Sequence, residues 1–253
     1  MSFILAVANQ KGGVGKTTSA VNIAAALASK KRTVVLVDLD PQGNATSSLG
    51  IDKDGLKATV FDVLEGNAHL SDVVQKTVKE GLFVVPARGD LAQSEVNLVA
   101  WARREFILRA ALESVAADIV IIDCPPALGL LTINALTSAD GVLIPVQAEY
   151  FALEGLGQLV QTIQLVRKGL NPDLEIFGVL LTMYSKRMVL SEQVHQELKN
   201  HFGDTVFQVV VPRNIRLAEA PSFGKTIFEH DKWSKGARAY KAVASEVAKR
   251  AKV

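Results

Sequence analysis

Short runs of consecutive apolar residues recur along the chain and alternate with longer stretches of helical periodicity. The runs predict buried strands at 3–8, 33–37, 82–85, 119–122, 142–146, 177–181 and 206–211. Unbroken apolar runs are typical of a parallel sheet that is covered on both faces. The stretches between them predict helices at about 17–30, 103–116, 150–169, 190–201 and 235–250. This alternation predicts an α/β fold with a doubly wound, mostly parallel sheet and helices on both faces.

Residues 52–79 are the most irregular part of the chain, and we expect a small helical excursion there. No internal repeat, low-complexity tract or long linker rich in Pro, Gly or Ser interrupts the pattern. A chain of 253 residues with 49% hydrophobic composition is long enough for one large core. We therefore expect residues 1–253 to form a single domain.

Composition excludes several classes of protein. The sequence contains one cysteine, Cys124, so it has neither internal disulfides nor a cysteine zinc cluster. We expect Cys124 to be a small buried residue and not a nucleophile, because no partnering histidine is evident. No run of 18 apolar residues offers a membrane span, and the first residues lack the charged region of a signal peptide. These features favour a cytoplasmic protein.

Charge is distributed unevenly, although the formal net charge is only +2. Residues 186–253 carry 13 Lys and Arg against 7 Asp and Glu, whereas residues 1–185 carry 15 against 19. Most of these side chains are expected on solvated helix faces. An asymmetry of this kind is also typical of chains that bind nucleic acid.

The stretch ANQKGGVGKTTS at 8–19 lies between the first predicted strand and the first predicted helix. It nearly matches the phosphate-binding loop, which reads Gly, four residues, then Gly-Lys-Ser/Thr. Gln10 stands where the first glycine is usual, and an additional lysine, Lys11, follows it. The loop therefore carries two lysines, Lys11 and Lys16, where one is usual.

The chemistry of this loop is that of an anion site. Gly12, Gly13 and Gly15 allow the backbone N–H groups to converge on an anion, next to the positive end of a helix. We predict that the loop binds a nucleotide, that Lys16 bridges the outer phosphates and that the Thr17 hydroxyl ligates Mg²⁺.

Carboxylates lie at the ends of two predicted strands. Asp38 and Asp40 follow the second strand, and Asp123 follows the fourth. The carboxyl ends of parallel strands border the crevice where ligands bind. Asp123 is predicted on the Mg²⁺ side of the site, and Asp40 is the better candidate to orient an attacking water. Asp38 and Asp40 also fit a simpler role as caps of the turns before Pro41 and Gly43.

Longer motifs make the chain similar to a known family. The segment KGGVGKTT at 11–18 resembles the deviant phosphate loop, or deviant Walker A motif, of the ParA/MinD ATPases. The segments VDLDPQGNAT (37–46), DCPPALGLLTINAL (123–136) and VPRNIRLAEAPSFGK (211–225) resemble the chromosomal ParA, or Soj, branch in particular. The resemblance runs essentially from end to end. It implies a P-loop NTPase fold and hydrolysis of ATP to ADP with Mg²⁺.

The resemblance also implies roles for individual residues. Lys11 would reach across a nucleotide-sandwich homodimer to the phosphates of the partner, so that ATP neutralises cations that otherwise repel across the interface. Asp40 would activate or position the water and lie near Mg²⁺ with Thr17 and Asp123. The implied nucleotide-binding residues are Lys11, Gly12, Gly13, Val14, Gly15, Lys16, Thr17 and Thr18, with Pro212 and Asn214 on the adenine side.

The same resemblance implies partners. Arg187 and Arg216 match the positions through which such dimers bind double-stranded DNA without sequence preference. Weaker additions to this surface are Lys186, Lys225, Lys232, Lys235 and Arg238. A ParB-type centromere-binding protein would stimulate hydrolysis and release the dimer, and the cargo would be a chromosome origin or a plasmid. These partners imply a cytoplasmic protein associated with the nucleoid.

A MinD-like switch at a membrane is the alternative reading of the same motifs. It requires a terminal amphipathic helix with bulky apolar residues. The last predicted helix carries Tyr240, Val243, Ala244 and Val247 on one stripe, and these mostly small side chains suit packing on the protein body. We therefore expect no membrane partner, although the tail at 249–253 is basic.

Overall fold

The computed structural model describes residues 2–149 and 152–253. Its strands are β1 (Phe3–Val7), β2 (Val34–Asp38), β3 (Gln75–Lys76), β4 (Leu82–Val85), β5 (Ile119–Asp123), β6 (Gly141–Gln147) and β7 (Glu175–Thr182). They form one sheet in the order β3-β4-β2-β5-β1-β6-β7, and within it only the edge strand β3 runs antiparallel to its neighbour. The predicted mostly parallel α/β architecture is confirmed, and six of the predicted strands with it.

Helices cover both faces of this sheet. They are α1 (Lys16–Leu27), α2 (Asn44–Ser48), α3 (Val60–Leu64), α4 (Leu70–Val73), α5 (Ser94–Asn97), α6 (Ile107–Leu112), α7 (Leu130–Ser138), α8 (Ala152–Gly169), α9 (Val189–Phe202), α10 (Ile215–Glu219), α11 (Ile227–His230) and α12 (Lys235–Ala251). Successive residues of a strand point to opposite faces. Leu36 of β2 accordingly packs in the core beneath α1 and α12, whereas Val37 packs in the core beneath α7 and α8.

The register of the sheet brings the predicted site residues together at the carboxyl ends of its central strands. In the parallel pairs, Asp123 at the end of β5 lies opposite Val7 of β1 and opposite Asp38 of β2. The loop that follows β1 therefore starts beside Asp123, and Asp38 lies one strand further along the sheet. This is the position that the sequence predicts for the nucleotide site.

The prediction of a strand at 206–211 is wrong. The N–H of Phe207 donates to the carbonyl of Val179, and the N–H of Val211 donates to the carbonyl of Leu181. Four residues of this segment thus span only two residues of β7, so the residues between bulge away and the ladder cannot continue. The segment keeps one isolated bridge, between Val206 and Val179, and Phe207 fills the space over Gly178.

Two other predictions need adjustment. The helix predicted at 103–116 is a 3₁₀ turn at Arg104–Phe106 followed by α6, because Arg103 has a φ of +55° that an α-helix does not accommodate. The irregular stretch at 52–79 contains α3 and α4 as expected, together with the short strand β3. The first two residues of the helix predicted at 150–169 lie outside the described residues, and α8 begins at Ala152.

Candidate nucleotide-binding site

The loop between β1 and α1 has a backbone shaped around open space. Gly13 has a φ of +74° and Gly15, which caps α1, a φ of +91°, in the left-handed region that glycine adopts without steric cost. A Cβ added to Gly12 or Gly13 would meet nothing within 4 Å. The loop thus leaves room for a ligand next to the N-terminus of α1, where backbone N–H groups favour anions.

Hydrogen bonds of Asn9 and Thr182 fix this loop to the neighbouring strands. Asn9 donates its Nδ2 to the Pro145 carbonyl at 2.7 Å, and its Oδ1 accepts from the N–H of Lys11 at 3.0 Å. The Thr182 hydroxyl at the end of β7 donates to the Val14 carbonyl at 2.8 Å. The loop is therefore held from β6 and β7 before any ligand binds, which reduces the entropy lost on binding.

Lys16 points into the protein. Lys16 is only 6% exposed, and its Nζ donates to the carbonyl of Lys11 at 3.1 Å. Burial lowers the pKa of Lys16, and the nearby carboxylates of Asp123 and Asp40 oppose that shift. A buried ammonium with one carbonyl acceptor retains donors for further oxygens, as a phosphate-binding lysine requires.

Lys11 has a different environment from Lys16. Its side chain is 39% exposed, and its Nζ lies 3.4 Å from Oε2 of Glu149. The other oxygen of Glu149 lies 3.8 Å from Nη2 of Arg213. One surface carboxylate thus lies between two cations at the mouth of the site.

Asp123 is fully buried, and both of its carboxylate oxygens lack a partner in hydrogen-bond geometry among the described residues. Burial raises the pKa of Asp123 well above its ordinary value, and the charge of Asp38 raises it further. The Thr17 hydroxyl and Lys16 lie near enough to oppose this shift, although the hydroxyl makes no bond of good geometry. A buried carboxylate without donors is costly unless a cation or a proton accompanies it.

Asp38 differs from Asp123 because its oxygens are occupied. Its Oδ2 accepts from the N–H and the hydroxyl of Thr46, at 2.8 and 2.7 Å. Burial nevertheless raises the pKa of Asp38 to about 6. Thr46 in turn accepts from the N–H of Ala87 at 3.0 Å. Asp38 thus fastens α2 against the sheet, which agrees with a structural role.

Asp40 lies at the start of the turn that leads to α2. It is buried, and its Oδ1 accepts from the N–H of Gln42 at 2.9 Å. This is the turn-capping contact that the sequence allows for Asp40, and it leaves the second carboxylate oxygen for other partners.

The donor set fits Mg²⁺ that is also bound by phosphate. Among the side chains that the structure describes, no three of His, Cys, Asp or Glu converge as a protein-only metal site requires. Mg²⁺ in nucleotide sites takes only one or two protein ligands, with waters and phosphate oxygens in the other positions. The unpartnered oxygens of Asp123 beside Thr17 meet that smaller requirement.

The predicted adenine-side residues lie next to the end of β7. Tyr184 and Pro212 form an isolated parallel bridge, and the N–H of Arg213 donates to the Tyr184 carbonyl. Asn214 caps α10, since its Oδ1 accepts from the N–H of Arg216 at 2.9 Å. The structure thus brings this loop beside the strand whose Thr182 holds the phosphate loop.

A cleft of about 410 Å³ opens beside Thr17 and Thr18. Its walls are α1, α2 and the segment 220–225, most of its lining residues carry a hydroxyl or an amide group, and Lys225 adds one cation.

The predicted DNA-binding arginines lie on the surface. Arg187 is exposed in the turn after β7. Arg216 is exposed on α10, and its Nη1 lies 2.8 Å from Oε2 of Glu219 while its Nε lies 3.7 Å from Asp231. Two carboxylates therefore offset the charge of Arg216 within the same chain.

Sequence reasoning missed three residues that shape the site. Asn9 and Thr182 hold the phosphate loop, and Glu149 faces Lys11. Asn9 and Thr182 each stand at the end of a predicted strand, which is a signal that the sequence contains. Glu149 gives no such signal, because its partners are 138 and 64 residues away along the chain.

Comparisons with known proteins agree with this geometry. A family model described as an AAA domain matches residues 2–176. The sporulation initiation inhibitor protein Soj of Bacillus subtilis is 54% identical over 250 residues, which cover 98% of this chain and 99% of that protein. The chromosome partitioning protein ParA of Myxococcus xanthus is 53% identical over 249 residues, which cover 98% and 88%.

A solved structure from Mycobacterium smegmatis, named cobyrinic acid a,c-diamide synthase and determined with an ATP analogue and magnesium, is 40% identical to the chain. The two superpose with a TM-score of 0.87 over 100% of this chain and 96% of that one. Fold, phosphate loop and relatives agree: the chain belongs to the ParA/Soj family of chromosome-partitioning P-loop ATPases.

Proposed function

We propose that two copies of this chain pair around Mg·ATP, and that the paired form binds DNA without sequence preference until hydrolysis separates it. The observation that carries the proposal is the contrast between the two lysines of one loop. Lys16 is buried in its own site, whereas Lys11 lies at the surface against Glu149. Lys11 is therefore accessible to the phosphates of a second copy.

The loop residues bind the phosphates in this proposal. The backbone N–H groups at 12–18 and the Lys16 ammonium surround the outer phosphates. Thr17 and Asp123 hold Mg²⁺, which supplies charge neutralisation at the phosphates. Asp40 orients the attacking water through the carboxylate oxygen that Gln42 does not occupy. Pro212 and Asn214 contact the adenine side.

Phosphoryl transfer needs mainly positioning and charge stabilisation, not covalent chemistry. In a pair, each site would contain Lys16 of its own chain and Lys11 of the other. Without triphosphate, the same four ammoniums would repel across the interface. Pairing would therefore follow the nucleotide state.

The basic side chains at 186–253 support a DNA surface. Arg187 lies in the turn after β7, and Arg216 lies in the helix that follows the adjoining Pro212 loop. Contacts with phosphates carry no sequence information and weaken steeply with salt. Pairing doubles such a surface on one rigid body, which increases affinity strongly.

The biological setting follows from the family. We infer a cytoplasmic, nucleoid-associated protein whose cargo is a chromosome origin or a plasmid, with the chromosomal assignment favoured by the relatives. A ParB-type centromere-binding protein would accelerate hydrolysis and so release the pair from DNA.

A membrane switch is less well supported. The apolar stripe of α12 is already buried, since Tyr240, Val243 and Val247 pack in the core against α1. The Tyr240 hydroxyl also lies 3.0 Å from the Ser19 hydroxyl of α1. An amphipathic helix whose apolar face packs on the protein body has no such face for lipid. In the described residues, no helix has both the length and the apolar character needed to cross a bilayer.

The name of the Mycobacterium smegmatis relative raises amide synthesis as an alternative, and a version of that reaction with a thiol nucleophile would have to use Cys124, the single cysteine of this sequence. Cys124 is buried, and burial raises the pKa of its thiol. A thiol nucleophile requires the opposite shift and access to substrate. The partitioning assignment therefore remains the better one.

The direct test combines two measurements on the wild-type chain with ADP, ATP and a slowly hydrolysed analogue. Sedimentation should give a pair only with triphosphate and Mg²⁺. Retention of random-sequence DNA should likewise require triphosphate and Mg²⁺, and it should fall steeply as the salt concentration rises. Identical sedimentation in all nucleotide states would refute the proposal.

A further inference from the structure

Asn22 joins the phosphate loop to a distant segment of the chain by two hydrogen bonds. It lies one turn after Thr18 on α1, and its Nδ2 donates to the Thr18 carbonyl at 2.8 Å. Its Oδ1 accepts from the N–H of Ile227 at 2.9 Å. One partner is a backbone carbonyl and the other a backbone N–H, so they fix the orientation of the amide. Because Asn22 is 5% exposed, loss of either bond leaves a buried polar group unpaired.

A second contact ties the same segment to the residues that follow Asp40. A Cβ on Gly224 would lie 2.9 Å from the Cα of Gly50, and one on Gly50 would lie 3.0 Å from the Gly224 carbonyl oxygen. Both glycines have positive φ, +75° at Gly50 and +61° at Gly224. The turn after α2 and the turn before Lys225 thus touch backbone to backbone, without side chains that could adjust between them.

The segment 220–227 therefore contacts α1, which begins in the phosphate loop, and the turn after α2, the helix that follows Asp40. It begins directly after α10, which carries Arg216, and it contains Lys225. The short helix α11, which starts at Ile227, packs against α1, α10 and α12. A displacement of this segment would reorient the basic side chains on either side of it.

Nucleotide binding acts on the other end of this connection. Phosphates bind to the backbone N–H groups of the first turn of α1, which includes Thr18. A packed helix moves as a unit, so a shift of that turn also shifts Asn22. The hydrogen bond that Ile227 donates to Asn22 would transmit such a shift to α11.

We propose that Asn22 is a positioning residue that couples the nucleotide at the phosphate loop to the orientation of the basic surface around Arg216 and Lys225. The inference rests on the proposed function, since it concerns how nucleotide controls DNA binding by the same chain. Asn22 touches neither reacting atoms nor DNA in this proposal. Its removal should therefore uncouple the two sites without abolishing either.

The experiment compares Asn22→Ala with Asn171→Ala. Asn171 is an equally buried asparagine whose Nδ2 donates to the carbonyls of Leu136 and Ala139 at the end of α7. The measured quantity is the ratio of DNA affinity with the slowly hydrolysed analogue to DNA affinity with ADP. Fluorescent-nucleotide affinity and sedimentation are measured in parallel. Asn22→Asp, which keeps the acceptor for Ile227 but loses the donor to Thr18, separates the two bonds.

We expect Asn22→Ala to lower the affinity ratio at least tenfold while nucleotide affinity and triphosphate-dependent pairing stay within about threefold of wild type. Asn22→Asp should lower the ratio as well, whereas Asn171→Ala should lose thermal stability and keep the wild-type ratio. An unchanged ratio in Asn22→Ala, an equal loss of DNA affinity in both nucleotides, or loss of pairing would overturn the coupling role. A wild-type protein without triphosphate-dependent DNA retention would instead overturn the proposed function.

Discussion

Asp38 of β2 and Asp123 of β5 are direct register partners on adjacent parallel strands, and both side chains are completely buried. Burial is the main cause of the raised pKa of each, and for Asp123 the charge of Asp38 adds to it. Thr46 occupies Oδ2 of Asp38, so Asp123 is the member of the pair that depends on an added cation.

These two buried aspartates predict how the free energy of unfolding depends on pH in the absence of nucleotide. An unfolded Asp has a pKa of about 3.9, whereas the folded pKa of Asp38 is about 6 and that of Asp123 is also raised. Between these pKa values, the folded chain therefore binds more protons than the unfolded chain. The free energy of unfolding should fall as pH rises from about 4 through 6, by about 1.4 kcal/mol for each unit of pKa difference.

The measurement is urea unfolding between pH 4 and 7 for wild type and Asp123→Asn, without nucleotide. The variant should show a smaller loss of stability over this range, since it removes one of the two charges. Burial lowers the pKa of His195, which contributes in the opposite direction but is common to both proteins. Mg·ADP at pH 7 should stabilise wild type more than the variant. Equal pH slopes in both proteins would count against a raised pKa at Asp123.

Lys11→Ala tests the intersubunit role of the second lysine. We expect the variant to bind nucleotide, to stay unpaired with triphosphate and to lose hydrolysis, because Lys16 alone cannot neutralise the phosphates across an interface. Its free energy of unfolding should change by less than about 1 kcal/mol, since the ion pair with Glu149 is exposed.

The matched control for Lys11 is Lys30→Ala, which removes another exposed lysine with a carboxylate partner, Glu80. Sedimentation and steady-state hydrolysis should remain those of wild type in the control. Normal hydrolysis by Lys11→Ala would contradict the role.

Asp40→Ala should separate nucleotide binding from cleavage. Loss of a residue that orients water reduces the chemical step by about 10²- to 10⁴-fold. ATP should stay bound and uncleaved, so the pair persists with ATP as it does with a slowly hydrolysed analogue. Single-turnover hydrolysis measures this step directly, and Asp54→Ala, an exposed aspartate downstream in the chain, is the control. A wild-type single-turnover rate in Asp40→Ala would exclude this role.

The sequence predicts that the candidate site lies at the carboxyl ends of the central strands, because the phosphate loop and Asp123 each follow a strong apolar run. Periodicity does not reveal how a segment meets its neighbour. The apolar stretch at 206–211 has strand composition, yet its bonds to Val179 and Leu181 leave the residues between without partners on β7. A two-residue strand such as β3 is too short to carry a periodic signal at all.

Side-chain pairing across long sequence separations was equally inaccessible from sequence. Lys11 is identified by a local motif, but its partner Glu149 depends on the position of β6 beside β1. The hydrogen bond between Asn22 and Ile227 spans 205 residues and follows from the packing of α11 on α1. Local patterns thus predict which residues carry chemistry, and the tertiary structure determines which residues restrain them.

Arg216→Ala tests the DNA surface through its salt dependence. Each arginine that contacts a phosphate contributes about 0.9 to the steepness of the slope of log affinity against log salt concentration. Two paired chains that each lose Arg216 should therefore show a slope that is shallower by about 2. The loss should be the same for DNA of different sequences, because phosphate contacts carry no sequence information. Lys76→Ala, an exposed lysine on the edge strand β3 at the far side of the sheet from β7, should leave the slope unchanged.

Glu219→Gln provides the converse test. Glu219 holds Arg216 at 2.8 Å and also lies 3.4 Å from Nε2 of His230. Its neutralisation removes a charge that competes with DNA phosphates for Arg216, so DNA affinity should rise while triphosphate-dependent pairing stays unchanged. Retention of random-sequence DNA over a salt series measures both variants in one experiment. If Glu219→Gln weakens retention, or if Arg216→Ala leaves the slope unaltered, Arg216 does not contact DNA phosphates.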